Sequence, residues 1–303
     1  MRPEAIETGR SAVSRFAYAA PTSVEEAVRV LSAAKGVAKL LSGGTDLLVQ
    51  LRSGRLRADL LVDTKKIPGI CGITVRPDGG FTIGAATPGI MLGEDAALAA
   101  AWPGVVEAAG LIGSVQVQGR ATLAGNLCNA SPAADSVPAL IAAGATAVVM
   151  GPRGRREVAV LDVVLGPGQT SLARDEFVFT FRLPAPRPRS GDAYLRLTPR
   201  TEMDIAVVGC GIWLQLAADG TIAAARVALG AVAPTPLLVA EAAGVLVGRG
   251  LDEATLAALD AAARAACRPI DDMRGTIAYR TRIAGVLARR AATIAYQRAE
   301  SRQ

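Results

Sequence analysis

Apolar and polar positions follow both helical and strand periodicities along this chain. Apolar residues recur every three or four positions over 23–35, which predicts an amphipathic helix that begins in a Ser23–Glu26 capping box. Alternation over 176–183 predicts a strand, and the short apolar runs 37–41 and 59–63 predict two buried strands. The pattern therefore predicts a protein of mixed helices and strands.

Residues that favour turns predict hairpins, and alanine-rich stretches predict helices around these strands. Asp-Gly pairs at 78–79 and 219–220 are typical of tight hairpin turns. After the proline-rich stretch 184–191, three strand candidates precede the helices, which favours an antiparallel sheet covered by helices over a Rossmann unit. We predict an α+β fold, divided into an N-terminal tail and two domains: 1–15, 16–184 and 192–303.

Composition narrows the class of protein. The 303 residues are 51% hydrophobic, enough for a large core, yet no apolar run reaches the ~20 residues of a membrane span. Because the first 15 residues lack the apolar centre of a secretory signal, we predict a cytoplasmic protein. The net charge of +6 would suit nucleic acid, but the arginines are dispersed without an aromatic platform, which argues against that partner.

The lack of histidine and the spacing of the cysteines exclude several kinds of site. The chain contains no histidine, which excludes Ser-His-Asp and Cys-His catalysis and histidine metal ligation. Its four cysteines never form C-x-x-C, so we expect neither a disulfide framework nor a zinc or iron–sulfur site. We interpret Cys128 as a small buried side chain. The sequence thus predicts no catalytic residue and no metal ligand.

Two segments that contain glycine are the strongest candidates for a binding site. A short apolar strand leads into Ser42-Gly43-Gly44-Thr45 and then a helix, an arrangement that exposes successive N–H groups to an anion. The second segment, 121–135, is small and polar between two apolar runs and contains Ala124-Gly125-Asn126. Each alone could be an ordinary structural loop, but two such segments in one chain indicate a dinucleotide site.

With their surroundings, these segments resemble the FAD-binding medium subunit of molybdenum hydroxylases, the family of carbon monoxide dehydrogenase, xanthine dehydrogenase and nicotinate hydroxylases. The resemblance spans most of the chain and includes 83–87 (IGAAT), 203–206 (MDIA) and 279–287 (YRTRIAGVL). It implies a two-part FAD-binding domain of the PCMH (vanillyl-alcohol-oxidase-like) type at 16–184. A domain like the C-terminal one of CO dehydrogenase flavoproteins is then expected at 192–303.

The resemblance also implies which residues bind FAD, without a covalent bond. The pyrophosphate is expected on the first segment: Leu40, Leu41, Ser42, Gly43, Gly44, Thr45, Asp46 and Leu47. Other parts of the cofactor are expected on the second: Thr122, Ala124, Gly125, Asn126 and Asp135. Ser42 replaces the usual alanine, and Ala124 replaces a glycine although alanine tolerates a positive φ poorly.

Three further positions are weaker implications of the resemblance. Ile112 and Val178 are expected near the isoalloxazine ring, and Arg196 stands where some relatives carry a lysine. Core packing or a surface charge explains these three residues equally well, so both interpretations stay open.

The implied function is electron relay. The resemblance implies a large subunit with a molybdenum cofactor and a small subunit with two 2Fe-2S clusters, assembled with this chain as a heterotrimer or its dimer. FAD on this chain would accept electrons from the clusters and pass them to a terminal acceptor such as NAD, oxygen or a quinone. Two alternatives remain open: a self-standing flavin oxidoreductase, and a non-catalytic assembly subunit whose cofactor loops have degenerated.

Overall fold

The computed structural model describes residues 16–302 as an α+β protein. The tail predicted at 1–15 lies outside the described residues. The first sheet contains β1 (Ala17–Ala19), β2 (Ala38–Leu41) and β3 (Leu60–Asp63), which are parallel and lie in the order β1-β3-β2. Helix α1 (Val24–Ala33) joins β1 to β2, and helix α2 (Leu47–Arg52) joins β2 to β3.

The start of α1 confirms half of the predicted capping box. The Ser23 hydroxyl accepts the Glu26 N–H at 3.1 Å, as expected. The Glu26 carboxylate, however, accepts the N–H of Thr22 at 2.8 Å and the Thr22 hydroxyl at 3.0 Å. The reciprocal bond to Ser23 was therefore a wrong prediction, because the Thr22 hydroxyl offers the carboxylate a second donor.

A second sheet is antiparallel throughout. It contains β4 (Ile73–Val75), β5 (Phe81–Gly84), β6 (Thr146–Gly151), β7 (Gly154–Ala159) and β10 (Phe177–Leu183), in the order β4-β5-β10-β6-β7. The hairpin predicted at 78–79 is confirmed as β4–β5, and β6–β7 forms a further hairpin. The central strand β10 is buried on both faces, because a shift of register between Val178 and Thr180 interrupts the alternation that the sequence suggested.

Six short helices and one two-stranded hairpin complete the N-terminal part of the described chain. They are α3 (Gly89–Glu94), α4 (Ala96–Ala101), α5 (Pro103–Gly110), α6 (Val115–Gln118), α7 (Leu123–Cys128), α8 (Ser136–Ala142), β8 (Val164–Gly166) and β9 (Gln169–Thr170). The helical region from Gly89 to Gly110 is broken near Pro103 and again at Asp95. The Asp95 carboxylate accepts the Leu98 N–H at 2.8 Å and so caps a new helix.

The C-terminal part is an antiparallel sheet covered by helices, as predicted. Its strands are β11 (Ser190–Leu197), β12 (Val208–Leu216), β13 (Ile222–Gly230) and β14 (Leu237–Leu238), which lie in this order. Helices α9 (Ala240–Gly244), α10 (Glu253–Ala266) and α11 (Ile277–Glu300) follow, and α11 packs along β11 and β12. No helix among residues 16–302 is long and apolar enough to cross a membrane.

Glycines bring the C-terminal sheet close to α8 of the N-terminal part. A Cβ at Gly211 would lie 2.6 Å from the backbone oxygen of Pro138, and one at Gly230 would lie 2.8 Å from the Pro138 ring. The Gly209-Cys-Gly211 pattern therefore serves close packing and is not a nucleotide-binding fingerprint.

A buried carboxyl group lies at the second contact between the two parts. The side chain of Asp192 on β11 lies against Gly104 on α5, and its Oδ1 has no hydrogen-bond partner among residues 16–302. Burial raises its pKa to about 7, and nearby Glu107 adds to this, against the opposing charges of Arg302 and Arg298. Asp192 therefore binds a proton more tightly in the folded protein than in the unfolded chain.

This carboxyl group should make stability fall as pH rises. Since an unfolded aspartate has a pKa of about 3.9, the folded state holds the extra proton between roughly pH 4 and 7, and its advantage is lost across that window. We expect Asp192→Asn to flatten the slope of unfolding free energy by up to about 1.4 kcal/mol per pH unit between pH 5 and 7. Urea titrations of wild type, Asp192→Asn and the exposed control Asp162→Asn at several pH values measure it; equal slopes in all three would refute the assignment.

Candidate functional site

A cleft of about 520 Å³ opens beyond the carboxyl end of β2 and the N-terminus of α7. Ligand sites in proteins commonly have volumes of 300–1,000 Å³. Three separate segments of the chain line this cleft, 38–56, 112–129 and 168–176, together with Leu31 of α1. The two glycine-containing segments singled out in the sequence therefore meet at one site.

The first segment needs glycine at both central positions. Gly44 has a φ of +81°, and a Cβ there would lie 2.9 Å from the Leu41 side chain. A Cβ at Gly43 would lie only 2.0 Å from the carbonyl oxygen of Arg120, which precedes the second segment. The backbone of the two segments therefore crosses at a distance that only glycine allows.

Five successive backbone N–H groups in this segment are unpaired. The N–H groups of Gly43, Gly44, Thr45, Asp46 and Leu47 donate no hydrogen bond to residues 16–302. The first helical bond runs from the Leu48 N–H to the Gly44 carbonyl at 3.0 Å. Consecutive free N–H groups at the start of a helix form a concave binding site for an anion such as a phosphate.

The second segment is partly helical and contains α7 (Leu123–Cys128). Thr122 caps α7, since its hydroxyl accepts the Gly125 N–H at 3.0 Å. Ala124 lies inside that helix and is absent from the residues with positive φ, so its replacement of glycine causes no strain. The Asn126 side-chain oxygen accepts both the N–H and the hydroxyl of Ser136, at 3.2 and 2.7 Å, which fixes the start of α8 beside the cleft.

Side chains also join the two segments. The hydroxyls of Ser42 and Thr122 lie 3.2 Å apart, and Ser42 donates to the carbonyl of Ala85 at 3.2 Å. On the next turn, the Gln50 amide donates to the Asn129 side-chain oxygen at 2.9 Å. The Ser42 hydroxyl therefore adds a link between the two halves of the cleft.

Eleven of the sixteen predicted site residues line the cleft. They are Leu40, Ser42, Gly43, Gly44, Thr45, Asp46, Leu47, Ile112, Thr122, Gly125 and Asn126. The other five are outside its lining: Leu41, Ala124, Asp135, Val178 and Arg196. Ala124 and Val178 are buried in the core, and the Leu41 side chain lies against Gly44.

Asp135 and Arg196 bind each other. Arg196 donates to Asp135 at 2.7 Å, and the Tyr194 hydroxyl donates to the other carboxylate oxygen at 3.0 Å. Burial raises the pKa of Asp135 to about 6 against the opposing effects of Arg196 and Tyr194. This buried network attaches the end of the second segment to β11 of the C-terminal part.

The structure adds cleft residues that the sequence did not indicate. Gln50 follows Asp46 by one helical turn, so a helical projection would have placed both on one face. Leu172 and Glu176 reach the cleft through the fold of the second sheet, and no local pattern identifies them. Cys128 is exposed to the cleft, which corrects the prediction of a buried side chain, although the protein around it raises the pKa of its thiol.

Comparison with known proteins identifies this architecture. Residues 14–186 match the family described as the FAD binding domain in molybdopterin dehydrogenase, and residues 193–295 match the CO dehydrogenase flavoprotein C-terminal domain. The chain belongs to this flavoprotein family. The predicted family and fold class are thereby confirmed.

Relatives of known activity support the assignment along most of the chain. The carbon monoxide dehydrogenase medium chain of Hydrogenophaga pseudoflava is 35% identical over 285 residues, which cover 94% of this chain and 98% of that protein. The xanthine dehydrogenase FAD-binding subunit of Escherichia coli O157:H7 is 36% identical over 201 residues, 66% of this chain and 68% of that protein.

Solved structures agree with the sequence relatives. A carbon monoxide dehydrogenase from Hydrogenophaga pseudoflava superimposes with a TM-score of 0.89 at 36% identity, covering 94% of this chain and 98% of that chain. Quinoline 2-oxidoreductase from Pseudomonas putida 86 gives a TM-score of 0.86 at 27% identity and the same coverage. The flavoprotein fold is therefore shared by enzymes that act on different substrates.

The buried network can be tested at its hydroxyl group. Tyr194→Phe removes the donor to Asp135 and should lower the free energy of unfolding by about 1–3 kcal/mol, because a buried acceptor loses its partner. Urea denaturation measures the change. The matched control is Tyr279→Phe, whose ring is 45% exposed. Equal stability of the two variants would contradict the structural role of the Tyr194 hydroxyl.

Proposed function

We propose that this chain carries FAD in the cleft and acts as the electron-transfer subunit of a multi-subunit molybdenum hydroxylase. The observation that carries the proposal is the row of free N–H groups from Gly43 to Leu47, which matches the needs of a pyrophosphate. Family membership supports it independently, because the matching domain is an FAD-binding domain of molybdopterin dehydrogenases. As a flavoprotein subunit, the chain is an oxidoreductase component.

The lining of the cleft suggests how the cofactor lies. We place the pyrophosphate on Ser42–Thr45, where the free N–H groups begin, and the flavin toward Ile112, Thr122 and Asn126. The apolar lining residues Leu31, Leu40, Leu56 and Leu172 suit the adenine ring. Five predicted contacts do not line the cleft and are proposed to shape it from behind: Leu41, Ala124, Asp135, Val178 and Arg196.

The residues of this chain bind and orient the cofactor and do no acid–base chemistry. Bound FAD supplies the exchange between one-electron and two-electron carriers. The chain contains no histidine; of the carboxylates that line the cleft, Asp46 belongs to the binding loop itself and Glu176 pairs with Arg156 at 2.7 Å. The protein's contribution is therefore position and hydrogen bonding.

The names of the relatives also suggest which partner subunits to expect. Relatives are named medium chain or FAD-binding subunit, which implies large and small partners for those complexes. We propose that this chain assembles with a molybdenum-cofactor subunit and an iron–sulfur subunit as a heterotrimer or its dimer in the cytoplasm. NAD, oxygen and quinones are candidate terminal acceptors, and the substrate is determined by the molybdenum subunit.

The two residues that suggested a degenerate assembly subunit fit the cleft without disturbing it. They are Ser42 and Ala124, the two departures from the family pattern. Ser42 bonds to Thr122, and Ala124 occupies an unstrained helical position, so neither departure disturbs the cleft.

Absorption spectra test the cofactor. The purified wild type should be yellow and release FAD identified by mass, whereas Gly44→Trp should be colourless because the indole would fill the anion site. Gly54→Trp is a matched control, since Gly54 has a comparable φ of +70° but open space around its Cβ position. Wild type that holds no flavin, even after FAD is added, would refute FAD binding.

Co-expression tests the assembly. We expect the chain to co-purify with a molybdenum subunit and an iron–sulfur subunit encoded with it, and to turn over no substrate when alone. Turnover of an organic substrate by the isolated yellow chain would instead support the self-standing flavin oxidoreductase.

A further inference from the structure

A lysine outside the cleft contacts the first glycine segment from behind. Lys65 follows strand β3, and its ammonium group donates to the carbonyl oxygen of Ser42 at 3.2 Å. The same group forms an ion pair with Asp63 at 2.7 Å. Lys65 does not line the cleft, so any influence on a bound cofactor must pass through the Ser42 peptide.

The Ser42 peptide determines where the first free N–H group points. In a planar trans peptide, the carbonyl of one residue and the N–H of the next point in opposite directions. The bond from Lys65 to the Ser42 carbonyl therefore directs the Gly43 N–H away from Lys65. Because glycine has no Cβ, the φ of Gly43 is intrinsically less restricted than that of other residues, and the bond to Lys65 adds to its orientation.

A short chain of contacts holds the lysine in place. The Asp63 carboxylate also accepts the Tyr18 hydroxyl at 2.8 Å and the Lys65 backbone N–H at 3.0 Å. Burial alone would favour protonation of Asp63, but its bonds to Lys65 and Tyr18 outweigh this effect and lower its pKa. Asp63 is therefore ionised at neutral pH and anchors the ammonium group at the end of β3.

We propose that Lys65 is a positioning residue for the cofactor: it holds the Ser42 peptide so that the Gly43 N–H is preorganised for the pyrophosphate. This inference rests on the proposed function, because it needs a pyrophosphate on Ser42–Thr45. Its effect falls on cofactor affinity, since a partly exposed ion pair adds little to the stability of the fold.

The neighbouring residue offers a matched control. Lys66 is an exposed lysine that forms no hydrogen bond or ion pair with any of residues 16–302. Replacing either lysine by methionine removes one positive charge and keeps an unbranched side chain. Any difference between the two variants therefore reports the contacts of Lys65 and not the net charge.

The experiment titrates the full-length chain, freed of flavin, with FAD and follows the quenching of flavin fluorescence. We expect Lys65→Met to weaken FAD binding about tenfold relative to wild type and Lys66→Met, because one charge-assisted bond is lost. Melting temperatures of the flavin-free proteins should agree. Lys65→Arg, which keeps a cationic donor, should recover most of the affinity.

The outcomes distinguish the positioning role of Lys65 from FAD binding by the chain. If wild type binds FAD and Lys65→Met binds it as tightly as Lys66→Met, the positioning role is wrong and the proposed function stands. A lowered melting temperature in Lys65→Met without rescue by arginine also overturns the role, because the lysine would then support the fold. Wild type that binds no FAD refutes the proposed function itself.

Discussion

The crossing of Gly43 over the backbone of Arg120 is the contact on which the N-terminal part depends. Gly43 follows β2 of the parallel sheet and Arg120 precedes α7, and the two backbones meet where a methyl group would not fit. The hydroxyl pair of Ser42 and Thr122 reinforces that crossing. The N–H groups from Gly43 to Leu47 have no acceptor among residues 16–302, and a ligand can use them.

A buried polar network joins the N-terminal part to the C-terminal part. Asp135, Arg196 and Tyr194 satisfy one another at the end of the second segment, whereas Asp192 remains only partly satisfied farther along β11. Satisfied buried networks favour one arrangement of neighbouring elements, and an unsatisfied carboxyl group weakens it. The interface thus combines a firm contact beside the cleft with a pH-sensitive one farther along the same face of β11.

Local pattern predicted much of the fold but only part of the site. Periodicity identified α1, β10 and the two hairpins, since each depends on residues close in the chain. The residues at 40–47 could be predicted because a strand, two glycines and a helix form a local motif. Leu172 and Glu176 could not, because they reach the cleft only through sheet packing. The resemblance associated Asp135 and Arg196 with the cofactor, but no sequence pattern shows that two residues 61 positions apart pair with each other.

The cleft is lined by segments separated by more than a hundred residues, from position 38 to position 176. Such non-local sites form late, because the long loops between the segments must close before the contacts exist. An unfolded or partly folded chain therefore lacks the binding site. A ligand that binds only the folded form shifts the folding equilibrium toward that form. A chain that has bound flavin is therefore one whose N-terminal part has already folded, since the cleft exists only when its distant segments have come together.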